Sequence, residues 1–179
     1  MVAETQLIEE LKEPKTQEQA FRKLMSEYKE RLYWHIRKIV ISHDDADDVL
    51  QNTFIKVYKN INTFKAESKL YSWMYRIATN EAITFINKRA KEKNIDVSEL
   101  QYKLAENLEA DVYFDGDEMQ LQLQKAIATL PQKQQLVFNM RYFDEMKYDD
   151  MSEILETSEG ALKASYHHAV KKIESFLTD

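Results

Sequence analysis

The chain has no cysteine, and only two glycines and two prolines among its 179 residues. Without cysteine there is no disulfide framework and no thiolate metal site, which agrees with a cytoplasmic address. Glycine and proline normally make up about 7% and 5% of a protein. Their scarcity beside 44% apolar residues favours an all-α protein. No apolar run approaches the roughly 18 residues of a transmembrane helix, so no membrane insertion is expected. The opening MVAETQLIEELKEPKT lacks the apolar stretch of a signal peptide. There is no glycine-rich phosphate loop and no nucleophile–base–acid set. Acidic pairs such as Asp44–Asp45 and Asp149–Asp150 read as helix starts, not acid/base dyads. The chain is therefore expected to be no enzyme, with no cofactor and no metal.

Charge is present but segregated. The net is −6, yet residues 56–93 hold nine Lys/Arg against three Glu, and residues 94–120 hold eight acids against one Lys. A basic block is thus followed by an acidic one. Residues 160–173 carry Lys163, Lys171 and Lys172 with no acid. A positive stripe in a negative protein points to a placed contact with a polyanion.

Periodicity divides the chain. Residues 1–16 stop at Pro14 and read as a loose tail or a short helix. From Gln17, the residues Phe21, Leu24, Tyr28, Leu32, Ile36 and Ile39 step by three or four and form one apolar helix face. Ser42 to Asp45 resembles a capping box opening a second helix, with Leu50, Phe54, Val57 and Ile61 inward. NTFKAESK, residues 62–69, reads as a loop before a long helix over 70–91. Residues 17–93 form the first domain. Residues 94–117 are acidic and weakly periodic and read as a linker, with room for a transient helix around 98–108. Residues 118–179 form the second domain, with a buried side at Leu136, Val137, Met140 and Phe143. Its last helix turns Leu162, Tyr166, Ala169, Ile173 and Leu177 inward.

That second domain ends as a helix-turn-helix. A short helix, the turn Glu156-Thr157-Ser158 and a basic amphipathic helix follow one another. Such a unit lays its second helix in the major groove, with N-terminal residues at the base edges. Lys163, His167, His168, Lys171 and Lys172 avoid the apolar stripe and suit phosphates or base acceptors. On periodicity alone, a helical hairpin with a solvated charged face fits equally well. His167 and His168 point apart and lack a third ligand of suitable spacing.

LPQKQQLVF, the following Y-x-x-M-S-E-I-L and S-E-G-A-L-K-A-S resemble the fourth domain of extracytoplasmic-function sigma factors of the sigma-70 superfamily. DDADDVLQNTFIKVYKNINTFKAESKLYSWMYRIATNEAITFINKR is similar to their second domain. The resemblance covers about residues 17–93 and 118–177 and implies a promoter-specificity subunit of RNA polymerase. It implies binding to core polymerase through Asp45, Asp48 and Gln51, with Leu50 and Phe54 in the domain's own core. It places minus-ten recognition and melting on Lys56, Phe64, Lys65, Arg76 and Asn80. Residue type supports this, since an opened non-template strand needs rings for stacking, polar groups for an extruded base and cations for phosphates. An extruded base would be read in the Lys65–Lys69 loop, with Asn80 nearby. Minus-thirty-five contacts on duplex DNA fall on Arg141, as a phosphate clamp, and on Lys163, Ala164, His167 and His168. An anti-sigma partner is also implied.

Two departures bear on detail. Ala66–Glu67 stands where the family often has Gly-Asp, which changes the base pocket. Ser165 and His168 stand where it often has arginines, so bidentate readout is reduced and intrinsic DNA affinity is expected to be modest. The acidic linker either occupies a basic RNA path in the polymerase or serves as a solvated tether. The two domains either splay apart or pack together and hide promoter contacts. A stand-alone helix-turn-helix regulator is the alternative function, but it leaves the aromatic and basic segment 64–80 without a task. A helical adaptor leaves both basic patches unexplained.

Overall fold

The structure, a computed structural model, describes residues 2–179. Among them are nine α-helices and no strand: α1 Val2–Lys12, α2 Gln17–Val40, α3 His43–Asn60, α4 Leu70–Glu92, α5 Val97–Glu106, α6 Glu118–Ala128, α7 Gln132–Tyr142, α8 Tyr148–Leu155 and α9 Glu159–Thr178. Two short 3-10 turns, Ile61–Thr63 and Leu108–Ala110, sit in the connections.

The helices form where the apolar period predicts them. Leu32 and Ile36 of α2 are fully enclosed, each burial contributing about 1.5–3 kcal/mol. They pack with Val49, Leu50 and Phe54 of α3 and with Tyr75, Ala78 and Ala82 of α4. Ser42 caps α3 and Ser158 caps α9, each hydroxyl accepting a backbone N–H three residues on. Asp117 and Gln120 close a capping box at the start of α6. The joint between α2 and α3 is tight. Ile41 adopts φ 69° and Ser42 N–H donates to Val40 O at 2.8 Å, a positive-φ γ-turn that is rare and strained. The Ile41 side chain packs against the Ala105–Leu108–Leu121 cluster, which holds the turn in place.

Two segments are packed more tightly than expected. Residues 2–12 take the short-helix reading and not the loose tail: Leu7 and Leu11 of α1 are buried against Val57, Ile61, Leu70 and Met74. Met1 lies outside the described residues. The segment 94–117 is not a free tether either. Its helix α5 buries Leu100 and Ala105, and Arg37 donates to Asp111 at 2.7 Å. Gln101 donates to Ile39 O at 3.0 Å, and Tyr113 stacks on His43 at 3.7 Å. The helix lies where a transient one was expected near 98–108; what the acidity concealed is that it is packed. Smaller differences fall at Phe143 and Leu177, both expected inward and both more than a third exposed. Phe138 takes the buried place instead, stacking with Tyr142 and Tyr166.

The core does not stop at the linker. One apolar cluster runs from α2, α3 and α4 into Leu136, Val137, Met140, Met146, Met151, Ile154 and Leu162. Helix α8 lies on α4, and α7 touches α2. The two halves are packed together.

Candidate nucleic-acid interface and docking stripe

The first surface is on α3. Ser42 Oγ accepts from Asp45 N–H at 3.5 Å, but the reciprocal half of a capping box is absent. The Asp45 carboxylate instead accepts from Arg89 Nη1 at 2.6 Å, and the residue is only 8% exposed. Asp45 therefore ties α3 to α4 and is not an outward docking acid, correcting the sequence expectation. Asp48 and Gln51 do face solvent. They belong to a longer exposed stripe, Asp44, Asp48, Gln51, Ile55 and Tyr58, whose steps of four and three keep it on one helix face. Ile55 is 50% and Tyr58 43% exposed. They border a groove of about 540 Å³, also lined by Met25, Leu50, Gln51 and Phe54. Ile55 and Tyr58 were not singled out from sequence. The signal was available, because both fall outside the core period of Leu50, Phe54, Val57 and Ile61.

The second surface is the 64–69 loop with α4. Phe64 is 3% exposed and packs at 5.1 Å on half-buried Trp73, so its ring cannot serve as a stacking platform for a base. This too is a correction. Leu7 and Leu11 of α1 share the cluster that encloses it. Lys65 is exposed. Asn80 is exposed but sits ten residues along α4 from Leu70, about 15 Å at 1.5 Å per residue. Asn80 thus lies well along α4 from its start, beyond the Lys65–Lys69 loop that precedes the helix. Lys69, Trp73, Arg76 and Asn80 step along one side of α4. Lys56 pairs with Glu81 beside Asn80. Tyr75 is buried, which pushes its phenol well above the ordinary value, and Tyr71 lies against it with ring centroids 4.5 Å apart.

The third surface is α9. Lys163, Ala164, His167 and His168 are all exposed, as are Lys171 and Lys172. The His167 and His168 rings are 6.1 Å apart and tilted by 58°. Glu156 adopts the left-handed conformation at φ 51° and ends α8, so the turn before α9 is short and rigid. Arg141 does not reach outward as a clamp. Its Nη1 donates to Met146 O at 2.9 Å and its guanidinium lies 4.8 Å from the Tyr148 ring centre. It braces the α7–α8 turn, correcting the expectation. Lys163 Nζ approaches the same ring at 5.6 Å.

The packing of the halves places one candidate surface under another. Arg76 donates to Glu153 O and faces Glu156 at 3.7 Å. Lys69 donates to Asp150 Oδ1 at 2.6 Å. That hydrogen bond, then the Asp150 charge, raises the Lys69 pKa. Lys69 and Arg76 are thus engaged by Asp150, by the Glu153 carbonyl and by Glu156 at the end of α8. Beside them Asp144 accepts from Lys38 at 2.5 Å and lies 3.7 Å from buried His35. Burial alone would raise the Asp144 carboxyl. The polar contact with His35 and the Lys38 charge outweigh it and hold the group below its ordinary value. Helix α9 keeps its outer face free.

Residues 24–92 match the family Sigma-70 region 2 and residues 120–173 match Sigma-70, region 4. The ECF RNA polymerase sigma factor SigW of Bacillus subtilis is 28% identical over 174 residues, covering 92% of each chain. The ECF RNA polymerase sigma-E factor of Haemophilus influenzae is 26% identical over 166 residues, covering 87% of this chain and 86% of its own. In fold the chain resembles CnrH in its complex with the cytosolic domain of CnrY, at TM-score 0.70 and 18% identity over 98% of this chain and 97% of that one. It also resembles the sigma factor RpoE bound to the anti-sigma factor NepR from Bartonella quintana, at TM-score 0.67 and 19% identity over 88% and 96%. The chain belongs to the sigma-70 family, in its extracytoplasmic-function group. None of its described helices is long and apolar enough to cross a membrane.

Proposed function

We propose that this chain is the promoter-specificity subunit of a bacterial RNA polymerase. The observation that carries this is the order of parts on one chain: a region 2 match with an exposed docking stripe, then a region 4 match ending in a free basic helix. Residues 17–93 bind core polymerase and open the minus-ten element, and residues 118–179 seat on the minus-thirty-five duplex. Asp48, Gln51, Ile55 and Tyr58 form the polymerase contact. The two polar groups suit arginine partners, and the two apolar ones supply buried area. Lys65, Lys69, Arg76 and Asn80 track the opened non-template strand. Lys163, Ala164, His167 and His168 face the duplex, with Lys171 and Lys172 on its phosphates. The chain itself performs no bond chemistry; the core enzyme copies DNA and this subunit supplies address and strand opening. It works in the cytoplasm, where the promoter and the core enzyme are.

The free chain is closed. Lys69 pairs with Asp150, and Arg76 faces Glu156 and donates to Glu153 O; a phosphate must displace these partners, so α8 shifts from α4 as the strand enters. An anti-sigma factor is proposed as a further partner, because both solved neighbours are sigma factors held in such complexes. The test is to add the chain to core polymerase and map transcript starts on genomic DNA. New, discrete starts that depend on the chain support the reading. Repression, or unchanged starts, point to a lone helix-turn-helix regulator or an adaptor and refute it.

A further inference from the structure

We propose that helix α1 is a brace that positions the strand-reading loop from both ends; this rests on the promoter-opening role just proposed. The loop leaves the core at Phe64 and re-enters it at Leu70. At the first point Lys12 Nζ donates to Phe64 O at 2.6 Å, with its ammonium 5.9 Å from the Phe64 ring centre. At the second, Leu70 N–H donates to Glu4 Oε1 at 2.9 Å. Leu70 is the first residue of α4, and Lys69 at its N-cap makes no side-chain cap. The amide would otherwise be one of the orphan donors of a helix start, and a carboxylate there is favoured by the helix dipole. One helix thus holds both backbone ends of the loop with charged groups, eight positions apart on its own axis.

Between the anchors, Leu7 and Leu11 seal against Ile61, Leu70 and Met74. The brace is in turn fixed to α2. Thr16 Oγ1 donates to Glu10 O at 2.8 Å and Gln17 Nε2 to Leu11 O at 2.9 Å, satisfying carbonyls at the end of α1. Eleven residues of helix are marginal alone, so the helix persists by this docking and transmits its rigidity to the loop. Residues 65–69 touch the rest of the domain little otherwise: Lys65, Ala66, Glu67 and Lys69 are exposed. Loss of the anchors leaves the loop's side chains intact but its backbone free, and a strand binding it must then order it.

The experiment uses the full chain with Lys12→Met, Glu4→Ala and the pair together, and with Lys12→Arg as the conservative control. Amide hydrogen exchange on the free protein reads the loop. Protection at Glu67 and Leu70 is expected to fall in Lys12→Met and Glu4→Ala, which remove the donor and the acceptor, and to return in Lys12→Arg. Holoenzyme binding to the non-template strand of a promoter mapped in the start-site experiment reads function. Affinity is expected to fall about tenfold in Lys12→Met, the scale of one hydrogen bond to a charged group. Core-polymerase affinity and binding to the upstream duplex should stay within about twofold of wild type, since one decade is the effect sought. A merely structural role would instead lower all three together and the melting temperature with them. Unchanged loop protection, or a strand affinity equal to wild type, overturns the brace. If the wild-type chain directs no promoter-specific start, the sigma reading fails by itself, and the exchange measurement still decides whether α1 holds the loop.

Discussion

Replacing Asp144 with alanine should open the molecule. Asp144 sits in the turn between α7 and α8, and its side chain is 13% exposed. It meets Lys38 and His35 of α2, so it joins the two halves through α2 and not through the linker. The substitution removes the carboxylate that pairs with Lys38, whose side chain is 15% exposed. Breaking a buried ion pair by removing one partner typically costs about 3–5 kcal/mol. Lys38 has a long stem, and its ammonium lies over the Phe143 ring, 5.2 Å from its centre, so it keeps that contact or swings toward water when the carboxylate is lost. The expected loss is therefore lower, about 2 kcal/mol, which shifts the closed-to-open ratio roughly 30-fold. Apolar contacts of Met146, Met151 and Ile154 persist, so the halves loosen without unfolding. The chain has no cysteine, so Asn52→Cys and Lys171→Cys, both exposed, give unique dye positions on α3 and α9. Single-molecule energy transfer should show a new low-transfer population in Asp144→Ala. Adding Lys38→Met should restore part of the closed state, because it removes the stranded charge. Identical transfer distributions in wild type and Asp144→Ala, or strict additivity of the two substitutions, would refute the reasoning.

Acid should act through the same group. Because the Asp144 carboxyl is depressed when packed, its contribution to closure is complete above the ordinary value of 3.8. It is lost as pH falls through the depressed value, and Asp144→Asn should flatten that acid limb in the transfer experiment. Ile55→Asp should weaken core-polymerase binding by at least about tenfold, given about 1.5–3 kcal/mol for an apolar side chain of this size, while the melting temperature stays near wild type. Calorimetric titration with core polymerase checks the affinity, and a thermal scan of the free chain checks the melting temperature. Lys163→Ala should weaken upstream duplex binding across sequences and lower the slope of log affinity against log salt by about 1. Asn80→Ala should leave that binding intact and reduce strand opening, read by permanganate reactivity. Equal behaviour of the last two variants would remove their separate assignments.

Helices α2, α3, α4 and α9 were legible because their information is local. An apolar residue every three or four positions, a capping serine and a scarcity of glycine and proline act within one or two turns of the chain. The family motifs were legible for the same reason, each being a contiguous string. The docking stripe was half legible: Asp48 and Gln51 stood out by charge and polarity, whereas Ile55 and Tyr58 carry no such mark and differ from core residues only by falling outside the inward period. Misreadings fell where a side chain's partner is distant in sequence. Asp45 looked like a capping and docking acid, and Arg89, 44 residues away, claims it. Phe64 looked like a platform, and α1 covers it. Arg76 and Lys69 looked free, and α8, some 80 residues on, holds them. A repeat of 3.6 states which residues share a face, but not what that face meets. Composition and period alone determined an all-helical chain with a basic reading helix and an acidic middle. Only the tertiary structure decided that the middle is packed, that the first helix grips a loop and that the halves close on each other. Those outcomes depend on contacts between segments far apart in the chain, whose energies no local pattern records.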